Sequence, residues 1–329
     1  MPNARTDVTG DAGSGGAPEP AAVIARARER PTKRARLSRG APGEPYLSAY
    51  LYIAPALVAY AAFALLPFLW AVWISFFQWD GVSVGTWVGV DNYVSIATDV
   101  RLRGSFRNAL VLIVFYSIVP VTLALVLAGV MSRASLRGLT VFRGMLFVPQ
   151  IMAMVVIGTI WRWIYSSNGP LNRFLELIGL EQATRPWLGD FTFALPALGL
   201  VGTWFMLGLA LVLLIAAVQR VPMDLYEAAS VDGAGAIRQF FAVTLPSVRN
   251  EIAVALVLTM LGALRNFDLV YVTTSGGPGY STAVPAFEVY NQAFRLGRVG
   301  AASAVGVVLA LLIFSISFAV TRIAERDDE

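Results

Sequence analysis

The stretch "EAASVDGAGAIRQFFAVTLP", Glu227 to Pro246, lies between one long apolar run that ends near Val218 and another that begins near Ile252. A chain that crosses a membrane needs only a brief polar link at such a place. Residues 219–250 are instead helix-friendly and punctuated by glycines. Pro222 suits a first helical turn, Asp224 lies where the helix dipole favours an acid, and Leu225, Tyr226, Ala228 and Ala229 continue the helix. Gly233 and Gly235 permit a sharp change of direction. Ile237, Phe240, Phe241 and Leu245 then recur at helical spacing as an apolar stripe, which Pro246 closes. The pattern predicts a folded knob fixed to two apolar helices, suited to docking a partner whose motion would pass rigidly into those helices.

The flanking chain sets the class. Of 329 residues, 57% are hydrophobic and 14% charged, and the mean hydropathy is +0.66, outside the usage of soluble globular domains. This composition describes a membrane protein. The absence of cysteine excludes disulfides and thiolate metal sites. The absence of histidine removes His-based triads, His-ligated zinc and haem, and the usual near-neutral proton shuttle. The single lysine, Lys33, lies in the N-terminal tail, so no GxxxxGK[ST] phosphate loop exists in the rest of the chain. Any ATP used in its work binds to another subunit.

Residues 1–45 are rich in Gly, Pro, Ala and Arg and are expected to form a disordered basic tail, with residues 46–329 as the membrane domain. Six runs have roughly the 20 apolar residues that a bilayer requires: about Leu51–Phe77, Ala109–Met131, Gly144–Ile164, Ala194–Val218, Ile252–Val272 and Ala301–Val320. The expected fold is an all-α polytopic bundle of about six transmembrane helices. Arg26, Arg28, Arg30, Lys33, Arg34, Arg36 and Arg39 precede the first run, whereas the next loop mixes Arg101, Arg103 and Arg107 with Asp80, Asp91 and Asp99. That bias predicts a cytoplasmic N-terminus, and six crossings then return the C-terminus to the cytoplasm and place the knob there. Trp70, Trp73 and Trp79, and again Trp161, Trp163 and Tyr165, fall where the first and third runs should meet the outer interface. In the last run, Ala302 and Gly306 have the spacing that lets helix backbones approach closely. Asp91 is expected to cap a short surface helix.

Glu227, Ala228 and Ala229, followed by Gly233 and then Val243, Leu245 and Pro246, resemble the EAA loop of ABC importer permeases, with Val243 standing for the usual Ile. The resemblance implies a coupling helix within Glu227–Ala236 that seats in a groove of an ATP-binding subunit. Glu227 would meet a basic residue there, Gly233 would make the bend, and Asp232, Leu245 and Pro246 would belong to the same element. Further phrases resemble the maltose and glycerol-phosphate type of carbohydrate-uptake permease over nearly everything after position 50. They are "WVGVDNYVSI" from Trp87, "FRGMLFVPQIMAMVVIGTIWRWIYSSNGPLN" from Phe142, "WLGD" from Trp187 and "NFDLVYVTTSGGPGYST" from Asn266. The partners implied are a second permease subunit, two ATP-binding subunits that hold ATP and magnesium, an extracytoplasmic solute-binding protein and membrane lipid, with no nucleic acid and no cofactor in this chain. The Gly276, Gly277 and Pro278 loop would face the solute-binding protein.

The substrate path is expected in the fifth run, where Arg265, Asn266 and Asp268 interrupt apolar sequence. At about 1.5 Å per residue, Arg265 lies roughly 20 Å into a core of roughly 30 Å, where charges usually face a bundle interior or a cavity. Arg265 and Asp268 suit either an ion pair on one helix face or, with Asn266, a polar lining for sugar hydroxyls. Phe267 or Tyr271 would offer a ring to a sugar's C–H face. Arg162 is expected to anchor at the interface, and Trp204 and Met206 suit either path or packing. An ion-driven transporter would show an inverted repeat and more acids within the helices. An intramembrane enzyme would need a second carboxylate beside Asp268 in the apolar runs, and none is present. The leading expectation is a carbohydrate importer permease in a bacterial cytoplasmic membrane, with a phosphorylated polyol such as glycerol 3-phosphate as the alternative cargo.

Overall fold

The computed structural model describes residues 46–133 and 139–326; the basic tail expected over residues 1–45 lies outside them. The chain falls into two units, one ending at Phe63 and one beginning at Ala64. The first contributes the helix Tyr46–Tyr60, with Pro55 inside it. Among the described residues, five helices are long and apolar enough to cross a membrane: Tyr50–Ile74, Val100–Met131, Ala194–Val218, Arg249–Thr273 and Val299–Ile323. The only strands among them are a two-residue antiparallel pair, Phe77–Gln78 with Thr86–Trp87.

The third apolar run is not one straight helix. It divides into Val141–Ile151 and Met154–Ile164, bent by 101°, so six crossings are reached only when the bent pair counts as one. Pro149 lies in the first half, and Ala153 adopts extended backbone at φ −63° and ψ 135°, which ends helical hydrogen bonding there. Both halves are apolar, so hydropathy reads straight through the bend. The freed donors are satisfied locally: Met152 N donates to Pro149 O, and Val156 N and Ile157 N both donate to Ala153 O.

Apolar burial alone does not drive helix association in lipid, so close approach and shape decide the packing. Ala194–Val218 is the most enclosed of the spans and touches two core clusters. Leu198 and Val201 join Tyr116, Ile157, Leu264, Leu269 and Phe287 in one. Leu211, Leu214 and Val218 join Val121, Leu125, Val248 and Ala255 in the other, on which Phe240 and Leu245 of the knob also pack. In the last helix Ala302 is buried and Gly306 faces Val289, so the small-residue pair points inward.

The loops away from the knob are pinned by side chains in the motifs. Asn92 Nδ2 donates to the carbonyls of Ser75 and Phe77 at 2.8 and 2.9 Å, and the hydroxyls of Tyr93 and Ser75 lie 2.6 Å apart. Asp91 does not cap: it already occupies the first turn of Asp91–Thr98, whose N-cap is Val90 without a side-chain bond. Asp99 instead caps the next helix, Val100–Ile113, accepting from Arg101 N at 2.7 Å and Leu102 N at 3.4 Å. Buried Asn172 accepts from Trp187 Nε1 at 2.8 Å and donates to Arg185 O at 2.9 Å, which joins the "NGPLN" and "WLGD" phrases. Asp190 accepts from the N–H groups of Thr192 and Phe193, and these hold its carboxyl below the usual carboxylate range. Because that pKa is lowered, the stabilisation is present above the ordinary carboxylate pKa and fades as pH falls through the lowered value.

A very close helix contact lies at Gly202, where an added Cβ would lie 1.8 Å from Tyr116 Cε2. Gly202→Ala is expected to lower the thermal unfolding midpoint of the detergent-purified protein, since overpacking of a filled core typically costs about 1–3 kcal/mol. An unchanged midpoint would contradict the close apposition.

Candidate functional site

The polar residues of the fifth run sit at a break in the helix. Arg249–Leu264 ends at the cap residue Arg265, and helix resumes over Asp268–Thr273. Opposite the break, residues Val114–Ile118 of the second span form a π-helical turn, a feature common at functional sites. That turn carries buried Tyr116, whose hydroxyl accepts from Asn266 Nδ2 at 2.9 Å. Beside them, the neighbouring Ser117 Oγ lies 2.7 Å from Thr259 Oγ1. A cleft of about 460 Å³ opens here, lined by Tyr116, Met154, Met206, Arg265, Asn266, Phe267 and Asp268 among others.

The structure therefore gathers four of the five residues expected for the substrate path, and Met206 with them. Among the described residues no ion pair joins Arg265 to Asp268. The break separates them, so the helical three-residue geometry that would pair them is lost. Tyr271 does not line the cleft; it stacks on Phe267 with ring centroids 5.2 Å apart and an interplanar angle of 20°. Trp204 packs edge-on against Trp161. Arg162 reaches the carbonyl of Val272 at 3.5 Å, which ties the bent third run to the end of the fifth. The lining offers a cation, an anion, an amide and aromatic faces together, a set able to hold a polyhydroxylated solute without matching one net charge.

The knob is a second surface. Met223–Val231 is a helix with Asp232 as its C-cap residue, and Gly233 takes φ +75°, the left-handed conformation that ends helices at little steric cost. Ala236–Gln239 continues into the π-helical Phe240–Thr244 and the short helix Leu245–Ser247. Side chains close the hairpin: the hydroxyls of Tyr226 and Thr244 are 3.0 Å apart, and buried Gln239 donates to Ser230 Oγ and Ala234 O, each at 2.8 Å. Glu227, Ala228, Asp232, Gly233 and Pro246 are exposed, Ala229 is half-buried, and Leu245 is half-buried against the second core. The expected apolar stripe splits, because Phe240 and Leu245 pack inward while Ile237 and Phe241 are 77% and 61% exposed. Glu227 and Tyr226 border a hollow of about 600 Å³.

The Gly276–Pro278 loop is held from within. Thr282 Oγ1 donates to Gly277 O at 2.6 Å and lies 2.8 Å from Thr274 Oγ1. Gly276 is buried, whereas Gly277 and Pro278 are half-buried and border a further cleft with Arg162 and Tyr165.

Residues 121–327 match the model of the binding-protein-dependent transport system inner membrane component family. The chain belongs to that family. Its members' description and the apolar spans make it a multi-pass ABC transporter permease of the inner, cytoplasmic membrane. The probable ABC transporter permease protein YurN of Bacillus subtilis is 36% identical over 271 residues, 82% of this chain and 92% of that one. The diacetylchitobiose uptake system permease NgcF of Streptomyces coelicolor is 35% identical over 321 residues, 93% and 88% of the two chains. A bacterial ABC transporter that imports the acidic polysaccharide alginate shares the fold, with a TM-score of 0.71 at 22% identity over 85% of this chain and 96% of that one.

Sequence reasoning missed several residues that build this permease. Tyr116, Ser117 and Thr259 were signalled only as isolated hydroxyls in apolar runs. Glu288 is fully buried and receives a bidentate bond from Arg101, with Nε to Oε1 at 2.9 Å. A lone carboxylate in "AVPAFEVY" was its only mark, and the partner lies far away in sequence. Tyr116→Phe keeps the ring and deletes the acceptor for Asn266, and leaving a buried donor unpaired costs about 1–3 kcal/mol. The variant is expected to unfold at a lower temperature, with part of the loss recovered when Asn266→Leu is added; an unchanged midpoint for the single variant would show that this bond does not clamp the break.

Proposed function

We propose that this permease carries a carbohydrate, as the membrane half of an importer whose ATP and magnesium are held by two separate ATP-binding subunits. The observation that carries the reading is the saccharide named for several full-length relatives. Diacetylchitobiose is named for the Streptomyces protein, trehalose and maltose for a Thermococcus litoralis permease 30% identical over 83% of this chain, and lactose for one from Rhizobium radiobacter. The cleft at Tyr116, Asn266, Phe267 and Asp268 supports it, since hydroxyl-bearing solutes need donors and acceptors beside an aromatic face. A phosphorylated polyol is not favoured: Arg265 offers one cation, and Asp268 sets an anion in the same cleft.

The knob is the proposed receiver of the ATP-binding subunit, with Glu227, Ala228, Ala229, Asp232 and Gly233 at the contact and Leu245 and Pro246 tying it to the fifth span. This reading places the N-terminus, the C-terminus and the knob in the cytoplasm. It also adds a second permease subunit, as the resemblance implies, and an extracytoplasmic binding protein near Gly276, Gly277 and Pro278. The fold neighbour has also been solved with an alginate-bound periplasmic protein, which supports that last partner. In alternating access, closure of the ATP-binding pair pushes on the knob, the second core moves with it, and the cleft turns from one face of the membrane to the other.

Glu227→Arg in the full complex is expected to lower the retained ATP-binding subunit or the solute-stimulated ATPase about tenfold or more, because like charges placed across an interface cost several kcal/mol. Co-purification and ATPase unaffected by the charge reversal would remove the knob from the coupling role.

A further inference from the structure

Four aromatic rings form a contiguous cluster from the cleft toward the loop between the last two spans, with Phe267, Tyr271 and Tyr290 in mutual contact and Phe294 joined to Tyr290. Phe267 lines the cleft. Tyr271 stacks on it at 5.2 Å, Tyr290 approaches both Phe267 and Tyr271 at 5.4 and 5.3 Å, and Phe294 follows Tyr290 at 5.5 Å. The cluster is assembled from separate elements: the break and helix of the fifth span, the helix Pro285–Tyr290 and the π-helical turn Asn291–Arg295. Its inner end is half-buried and its outer end lies open, with Tyr271 38% and Phe294 79% exposed. It ends in the segment between Thr273 and Val299, which is separated from the knob by the length of the fifth span.

We infer that Phe267, Tyr271, Tyr290 and Phe294 form a stacking track that leads a carbohydrate from the mouth of the permease to the cleft. The inference rests on the carbohydrate reading above and extends it to two residues, Tyr290 and Phe294, outside the spans. The negative faces of aromatic rings attract the slightly positive C–H face of a pyranose. Rings in contact at these separations offer a solute successive aromatic surfaces along the outside of the cluster. The two phenol hydroxyls add hydrogen bonding that a sugar's hydroxyl rim can share. Plain core packing would bury all four rings, and Phe294 is not buried. A lipid-interface belt accounts for exposed rings but not for contact-by-contact continuity with the floor of the cleft. Another exposed pair, Phe314 and Phe318 on the last helix, stacks at 6.3 Å and has no link to the cleft through the ring contacts found among the described residues.

The test reconstitutes the complete importer in proteoliposomes and measures radiolabelled uptake per ATP hydrolysed for diacetylchitobiose, maltose, trehalose and lactose. Tyr290→Leu and Phe294→Leu keep an apolar surface for lipid or packing and remove the ring face. Each is expected to cut uptake per ATP several-fold, up to about tenfold, the range that one aromatic contact spans. Phe294→Tyr is expected to restore it, and Phe314→Leu to leave it as in the wild type. Wild-type sugar uptake with both leucine variants unaffected, or an equal loss in Phe314→Leu, would overturn the track and leave the carbohydrate reading standing. Failure of the wild type to move any carbohydrate would overturn the reading and the track together.

Discussion

Backbone polar groups inside a bilayer have no water to turn to, and this constraint governs how the permease is built. Two spans break despite it, the third at Met152 and Ala153 and the fifth at Arg265 to Phe267. Both breaks open on the same place, since Met154 begins the second half of the third run and lines the cleft together with Arg265, Asn266, Phe267 and Asp268. The irregular backbone of both breaks thus faces a cavity, the arrangement that lets half-helices present polar groups at membrane depth. The bond between Asn266 and Tyr116 holds the fifth-span break against the π-helical turn of the second span.

The same packing connects the cleft to the knob. The fourth span contributes Leu198 and Val201 to the core beside Tyr116, and Leu211, Leu214 and Val218 to the core on which Phe240 and Leu245 rest. A push on the knob therefore acts on a close-packed helix whose other half borders the break. Close-packed interiors switch between discrete arrangements more readily than they deform, which suits a two-state transporter.

Much of this was legible beforehand. The apolar runs located five spans, and the glycine at position 233 with its flanking helix-formers announced the hairpin turn that φ +75° realises. Arg265, Asn266 and Asp268 marked the fifth span by their cost in lipid. The bend at Ala153 escaped notice because both arms are equally apolar and the turn needs no glycine there. Asp91 drew attention as a cap but lies inside the first turn of its helix, and the side-chain cap belongs to Asp99 at the start of the next helix, Val100–Ile113. Pairings such as Arg101 with Glu288, or Asn172 with Trp187, depend on contacts between segments that no local pattern encodes. The stripe of Ile237, Phe240, Phe241 and Leu245 was visible, but not its division into an anchoring half and an exposed half.

The central claim is that the broken fifth span lines an aqueous path whose access alternates. The chain has no cysteine, so a single Asp268→Cys reports cleanly on the cleft. In the reconstituted importer, a membrane-impermeant maleimide should label this thiol from one side in the resting complex, and the labelling should fall when ATP and magnesium drive the subunits together. Labelling that never occurs from either side, or that is indifferent to nucleotide, would contradict the account.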